Sequence, residues 1–377
     1  MLVINLAPID QSGRSLSIAQ YLKKNKHIVQ LISYKGSRNH TLSTSQSRMS
    51  ISYIKNIKTQ NKPFLCRPVL LFIKLVYITT MSILYLVRYK LSLHANDEEK
   101  CSTLCKFYSK GGTVIFVVPP TTTVLLPMLL AKLLRIRVII DWHRINTGFM
   151  EIFDRHLAST VDNITVTQEM QKYFMSFGIK KPFLLSDMKL RKILSKKAMG
   201  TKRKLSRKQF IDYLSSKYAE YKDRLANIPK FQQIGICSTS FSDEEKIHQL
   251  LEDLKDLNIP QGGVLFITTK QEIVCQHENL QIIQVFLDYE DYQSLLEIAD
   301  FGISTHQCRL DFPLKIVDYL EKGLTVLAHN STPNLKSKQK NEKIIRYKNN
   351  KNLTQYLQKI YANKSSKDDG CFLNKIE

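Results

Sequence analysis

No two of the seven cysteines form a Cys-x-x-Cys pair, and their number is odd. Scattered at positions 66, 101, 105, 237, 275, 308 and 371, they argue against a disulfide framework and for free thiols in a reducing compartment. Cys101 and Cys105 are one helical turn apart, but no second pair or histidine cluster accompanies them, so no zinc site is expected there. Acidic residues are also scarce: 33 Asp and Glu stand against 56 Lys and Arg, a net charge of +23. Such a balance selects polyanionic partners, whether nucleic acid, an anionic membrane face or phosphate-bearing substrates. An aromatic-plus-basic stacking motif and any known RNA module are both missing, which disfavours nucleic acid. No secretory signal is expected, because Met1 to Leu6, MLVINL, already reads as a strand.

What is present is a chain of 377 residues, 43% of them apolar, enough for two domains with substantial cores and too apolar for wholesale disorder. Asn-x-Ser/Thr triplets at Asn39, Asn163, Asn330, Asn352 and Asn363 are read as chance occurrences left unmodified on a cytosolic face.

The most informative stretch is Phe301 to Ala328, FGISTHQCRLDFPLKIVDYLEKGLTVLA. A short apolar run at Phe301 to Ser304 leads through a polar loop to apolar residues at helical spacing (Leu314, Ile316, Val317, Leu320), then to a second apolar run at Leu324 to Ala328. Strand, loop, helix, strand is the predicted order. In a parallel α/β sheet that loop lies at the carboxyl edge, where ligands bind, and the helix offers its amides and positive dipole end to an anion. Pro313 is predicted as the first helical residue, led in by Asp311 and Phe312. Lys315 and Asp318 lie three apart on one face near that N-terminus. A cation and a carboxylate so placed can hold a diphosphate and the hydroxyls of its ribose; the plainer alternative is a surface ion pair.

Elsewhere the pattern alternates similarly. Met1 to Leu6, a loop with Gly13, Arg14 and Ser15, a helix from about Leu16 to Lys24 and a strand at His27 to Ser33 make a βαβ opening. Thr113 to Val118 is a buried strand ended by Pro119 and Pro120; a helix over about Thr122 to Leu134 leads to the strand Arg137 to Ile140. Asp141, Trp142 and His143 follow at its carboxyl end, where catalytic groups usually sit. Helices at Glu151 to Ala158 and Thr167 to Phe177, the latter capped by Thr167 and stopped by Gly178, flank a strand at Asn163 to Val166. A strand near Lys181 to Leu185 ends this half. Met188 to Lys208 is dense in cations without an acid, a solvated linker or a contact to lipid phosphates. Gln233 to Cys237 opens a second α/β unit. Ser242 with Glu245 forms a capping pattern for a helix running through Leu257, followed by Gly263 to Thr268, Leu280 to Val285, a helix over Tyr289 to Ala299, and the 301–328 stretch. A helix near Leu353 to Tyr361 is expected to pack back on the first domain, and the last dozen residues to be loose.

Pro68 to Val87 is a twenty-residue apolar run with Lys74 as its only charge and with Arg67, Arg88 and Lys90 flanking it. Interfacial, core and membrane-spanning helices are the three readings, the first best suited to the flanking cations.

Phe312 to Ala328 resembles the nucleotide-sugar segment of GT-B glycosyltransferases, in which a Pro-x-Lys-x-x-acid helix ends in a Gly before a short strand. With His306 and the LDFP of Leu310 to Pro313, with the VPP before the 122–134 helix and the VIIDWH after it, and with Gly13-Arg14-Ser15, it is similar more narrowly to the β-1,4-mannosyltransferases that add the first mannose to dolichol-linked chitobiose. The resemblance implies an α/β chain of GT-B type, two doubly wound Rossmann-like domains facing a cleft. The expected parts are an acceptor and membrane-side domain over residues 1–188, with 68–90 as its apolar interfacial helix, a basic linker and helix over 189–230, a nucleotide-sugar domain over 231–345 and a terminal helix and tail over 346–377.

It further implies inverting mannose transfer from GDP-mannose to the terminal GlcNAc of dolichol-diphosphate chitobiose. The place implied is the cytosolic face of the endoplasmic reticulum membrane, an anionic surface, beside other early lipid-linked oligosaccharide glycosyltransferases. No cofactor and no metal are expected, since a protein-borne cation can stabilise the leaving diphosphate. Donor contacts are assigned to His306, Arg309, Asp311, Pro313, Leu314, Lys315 and Asp318, acceptor contacts to Gly13, Arg14 and Ser15, and the base to Asp141 or His143. Two departures stand out: Arg144 follows His143 where the family has Asn, and only Gln307, Cys308 and Arg309 separate His306 from Leu310, a shorter loop than the family's Ser- and Gly-rich one. The alternative implied by that loop is a GT-B protein without transfer activity that scaffolds a membrane complex.

Overall fold

The computed structural model describes residues 1–8, 13–34, 48–55, 67–95, 112–118, 123–146, 148–190, 205–226, 228, 233–255, 257–259, 262–275, 277–332 and 343–362. Cys101, Cys105, Pro119, Pro120, Asn39, Asn363, most of the basic 188–208 run and the tail lie outside the described residues. The chain divides into two compact units, Met1–Met199 and Gly200–Glu377.

In the first unit seven strands pair in parallel: β1 Leu2–Pro8, β2 Val29–Tyr34, β3 Met49–Ile54, β4 Thr113–Val118, β5 Arg137–Trp142, β6 Asp162–Thr165 and β7 Phe183–Leu184. Their order is β3-β2-β1-β4-β5-β6-β7. Central strands such as TVIFVV are uninterrupted apolar runs because both faces of a parallel sheet are covered. Val3, Ile115 and Val117 meet Ile18 and Ala19 of α1, Gly13–Lys24, on one face. Helices α2 Arg67–Ala95, α3 Leu125–Leu133, α4 Phe149–Ser159 and α5 Gln168–Ser176 also belong to this unit. Thr167 caps α5 as expected, its hydroxyl accepting from Met170 N at 3.0 Å, and Gly178 follows it with φ +73°.

α2 is not a core helix. Its docked stripe is Ile78, Ser82, Leu86 and Tyr89, one side of the cylinder, with the Tyr89 hydroxyl accepting from Thr113 N at 3.2 Å. Val69, Leu71, Phe72, Ile73, Leu75 and Val76 are exposed. Lys74, the one charge in the apolar run, sits over the Tyr34 ring at 5.6 Å. α3 packs against α2 and presents Leu126, Leu129 and Leu133 to solvent, Leu133 at 80% exposure.

In the second unit six parallel strands, β8 Ile234–Ser238, β9 Gly263–Thr268, β10 Leu280–Val285, β11 Phe301–Ser304, β12 Thr325–His329 and β13 Ile344–Tyr347, take the order β10-β9-β8-β11-β12-β13. Helices α6 Arg207–Lys217, α9 Tyr289–Ile298 and α10 Leu314–Glu321 bury Phe210, Leu214, Leu295, Ile316 and Tyr319 in one core. α8 Ile247–Lys255 and α11 Asn350–Ala362 bury Leu250, Leu254, Leu353, Leu357 and Tyr361 in the other. α6, and α7 Lys222–Ala226 through Leu225, belong to this domain's core; a basic linker and helix is the expectation over 189–230. α11 packs on α8 within this unit through its buried Leu353, Leu357, Ile360 and Tyr361.

Two strands escaped sequence reading, β3 and β13. Both lie at sheet edges, where burial is partial and the apolar signal correspondingly weak. The helix expected from Ser242 to Leu257 is broken. A 3₁₀ turn at Asp243–Glu245 is separated from α8 by Lys246, whose φ of +44° cannot continue a helix.

At the centre of the second sheet Gly302 admits the Tyr319 ring: a Cβ there would stand 2.3 Å from it. Gly302→Ala should therefore lower unfolding stability by about 1–3 kcal/mol through overpacking, read as a lowered urea midpoint. An unchanged midpoint would refute this account of the β11–α10 packing.

Candidate functional site

Each sheet reverses its strand order at one place, between β1 and β4 and between β8 and β11, and in such sheets ligands bind outside the carboxyl ends at that place. In the second unit the segments leaving there are 239–245, after β8, and 305–313, after β11.

Glu245 ties the two together. Its Oε2 accepts from Thr239 Oγ1 at 2.9 Å, Ser240 N at 2.8 Å, Ser240 Oγ at 3.0 Å and Ser242 N at 3.2 Å. Its Oε1 forms an ion pair with Lys315, whose Nζ also donates to the Ser238 carbonyl at 2.7 Å. Its backbone carbonyl accepts from the Thr305 hydroxyl, and Gln307 N donates to Glu244 O at 2.7 Å. Burial alone would push this carboxyl upward; the Lys315 charge and the hydroxyl and amide donors outweigh it and hold it down at about 2. Beneath the loop Tyr319, fully buried, accepts from Ser238 N at 2.9 Å, while Ser238 Oγ donates to the Tyr292 hydroxyl at 3.2 Å. Lys315 is thus held beside the first turn of α10. An ammonium has three donors, of which the carboxylate and carbonyl take two, so one remains for an anion.

The other predicted donor residues gather around the same loop. Pro313 is the residue before the helix, with φ −63° and ψ 122°, so α10 begins at Leu314 and not at the proline. Its missing N–H leaves the helix-start amides to Leu314 and Lys315. Asp318 is half-buried on α10, and Arg309 is exposed. His306 is nearly enclosed, its Nε2 3.6 Å from Glu244 Oε2 and 3.7 Å from Asp311 Oδ2.

The first unit shows a different use of its predicted residues. Gly13, Arg14 and Ser15 are not a loop; they form the first turn of α1. Arg14 is buried, with Nε and Nη2 donating to Asp141 at 2.7 and 2.6 Å and Nη1 to Asp187 at 2.8 Å. This fork joins the start of α1 to the end of β5 and to the segment after β7. Asp141 is fully buried within it. A buried carboxylate held bidentately by a guanidinium has its oxygens occupied and a charge that compensates the cation. Arg14 and Ser15 are both buried, and of the two candidate bases Asp141 is tied to Arg14 while His143 is half-buried. His143 follows β5 and is half-buried. The segment it begins is held by Asp154, which accepts from Asn146 N at 2.7 Å. Trp142 is a core residue: its Nε1 donates to Asn163 Oδ1 at 2.8 Å and its ring lies 5.1 Å from that of Phe174. Asn163 is correspondingly buried and closed to modification, its amide donating to Ala158 O and Val161 O.

Sequence reasoning missed two residues of this site. Glu245 carried a signal, the Ser-x-x-Glu spacing, but that spacing was read only as a helix cap. Tyr319 carried none, since an apolar-face tyrosine looks the same whether or not its hydroxyl holds a loop.

No protein-family model matches the chain. Among solved structures it resembles sucrose-phosphate synthase from Thermosynechococcus elongatus (TM-score 0.59, 11% identity, 96% of this chain and 90% of that one) and Anabaena HepE in complex with UDP and glucose (TM-score 0.57, 12% identity, 95% and 89%). The fold is that of the GT-B glycosyltransferases. In sequence this GT-B chain is similar to chitobiosyldiphosphodolichol β-mannosyltransferases. It is 29% identical to that of Kluyveromyces lactis over 273 residues (60% of this chain, 59% of the relative) and 28% to that of Candida glabrata over 263 (59% and 56%). With that of Yarrowia lipolytica it shares 25% over 358 residues, 87% of this chain and 71% of the relative. The chain thus spans less than two thirds of the length of the first two relatives.

Because Glu245 is depressed in the folded protein, its contribution to stability is present above the ordinary carboxyl range near 4.5 and is lost as pH falls toward about 2. Glu245→Gln should cost about 3–5 kcal/mol at neutral pH and flatten the acid limb of the stability curve between those values. Parallel acid limbs for native and variant chains in urea melts would contradict the assignment.

Proposed function

We propose that this GT-B chain transfers mannose from GDP-mannose to the terminal GlcNAc of dolichol-diphosphate chitobiose, with inversion, at a membrane surface. The observation that carries the reading is the Glu245–Lys315 pair at the reversal point of the second sheet, in a chain whose sequence relatives are mannosyltransferases of that name. Lys315, fixed by Glu245 and the Ser238 carbonyl, turns its remaining donor and the α10 amides to the diphosphate, so that negative charge developing on the leaving nucleoside diphosphate meets a cation already in place. No reorganisation is then required at the moment the glycosidic bond breaks. Asp318 takes the ribose hydroxyls, and exposed Arg309 extends the cationic contact to the phosphates. Gly13 is the remaining candidate for acceptor contact in the first turn of α1.

An inverting transfer also needs a base for the acceptor hydroxyl. His143 fills that role in our reading, with Asp141 and Arg14 holding the end of β5 from beneath. The acceptor's lipid is met by α2 and α3, whose exposed apolar side chains, in a chain of net charge +23, suit insertion into the headgroup layer of an anionic membrane. The cytosolic face of the endoplasmic reticulum, among other early glycosyltransferases of lipid-linked oligosaccharides, is the setting this substrate requires.

Purified protein supplied with GDP-mannose and lipid-linked chitobiose should form the trisaccharide lipid in preference to products from GDP-glucose or UDP-GlcNAc. Lys315→Ala and Asp318→Ala should each reduce the rate by about 10²-fold or more; undiminished transfer in both would remove the donor-site assignment. Donor binding without turnover in the native chain would instead favour the scaffold alternative. Replacing Phe72, Leu129 and Leu133 by Asp together should release the protein from anionic liposomes in flotation, and retention would refute the membrane role of α2 and α3.

A further inference from the structure

The sequence disperses its cysteines, yet folding brings one of them into a constellation of mixed ligands. His306, Cys308 and Asp311 leave β11 within one short loop, and their ligating atoms lie within 4.8 Å of one another. Glu244, from the turn after β8, stands on the same histidine. The His306 side chain is only 12% exposed and neither ring nitrogen has a hydrogen-bond partner. Buried polar groups left so are uncommon and costly.

Two of the spacings match the edge of a metal's ligand tetrahedron. A hydrogen bond would bring His306 Nε2 to about 2.7–3.2 Å from its carboxylate neighbours. They stand at 3.6 Å (Glu244 Oε2) and 3.7 Å (Asp311 Oδ2). Ligands bound tetrahedrally at about 2.0–2.3 Å are separated by about 3.3–3.8 Å, the edge of the tetrahedron. The loop is also braced without any ion: Gln307 N donates to Glu244 O at 2.7 Å and Thr332 Oγ1 to His306 O at 3.3 Å. Cys308 Sγ, buried, lies 3.1 Å from the Asp311 carbonyl.

We propose that His306, Cys308, Asp311 and Glu244 bind one zinc-like divalent cation, through imidazole Nε2, thiolate and two carboxylates. Imidazole with thiolate selects zinc-class ions over magnesium or calcium, which prefer oxygen alone. On binding, the Cys308 S–H proton passes to solvent, the contact of the thiol with the Asp311 carbonyl is replaced by a sulfur–metal bond, and no redox change occurs. The ion would pin the 305–313 segment to the turn after β8, the same two segments that Glu245 laces. An imidazolium between two carboxylates is the competing account, and it takes up no metal.

The test uses the full chain, stripped with a chelator and titrated with Zn²⁺ by calorimetry, and separately loaded with Co²⁺ and followed by absorption. The native protein should take up one tightly bound equivalent and show both ligand-field bands and a thiolate-to-cobalt charge-transfer band. Cys308→Ser should abolish the charge-transfer band, and His306→Gln should weaken affinity by about 100-fold or more, at least the loss seen for outer contacts of metal ligands. Cys275→Ser should change neither. Glu244→Gln, which keeps volume and removes one anionic ligand, should also weaken binding and serves if the other variants fold poorly. No tight equivalent in the native chain, or the same uptake and spectrum in Cys308→Ser, would overturn the site. Since every readout is metal binding, the result is independent of whether mannose is transferred.

Discussion

A single carboxylate organises the carboxyl edge of the second domain's sheet. Glu245 is almost without solvent, and a buried charge is tolerated only where it is paired and its lone pairs are filled. Four donors from Thr239, Ser240 and Ser242 and the Lys315 ammonium meet that requirement. The arrangement has a structural consequence: the segment after β8 cannot move without exposing the charge, and Lys315 cannot swing away without leaving it uncompensated. The Lys315 ammonium is thereby fixed in place at the start of α10.

The first domain uses the same principle at its own sheet edge. There Arg14 is the buried charge, and Asp141 and Asp187 supply the compensation. The fork ties three segments distant in sequence. Asp141, at the end of a parallel strand, is buried with a bidentate partner, and His143 beside it is half-buried.

How much was legible beforehand differs by element. Central strands such as Thr113–Val118 and Gly263–Thr268 were read with their observed ends, because burial on both faces leaves an unbroken apolar run. Edge strands β3 and β13, with the short or interrupted apolar runs MSISYI and IIRY, were not read as strands, whereas the edge strand β10 was. The Ser242–Glu245 spacing was read for its local meaning, a cap. Its larger role depends on Lys315, seventy positions on, and no local pattern encodes that pairing. Among the cysteines, Cys308 has neighbours that its distance in sequence from the other six does not reveal: His306 and Asp311 meet it in the loop between β11 and α10.

Periodicity and residue order by themselves determined that this chain is an alternating α/β protein with two nucleotide-fold halves, and pointed to the helix that begins after Pro313 as the ligand-facing one. Those features are local: they follow from which residues are apolar and at what interval. Only the tertiary structure decided which charged side chains are framework and which are available. That outcome depends on burial and on partners far away in the sequence, as Arg14 with Asp141 and Lys315 with Glu245 demonstrate. Desolvation makes an unpaired buried charge intolerable, so the fold, by choosing what is buried, also chooses the pairs.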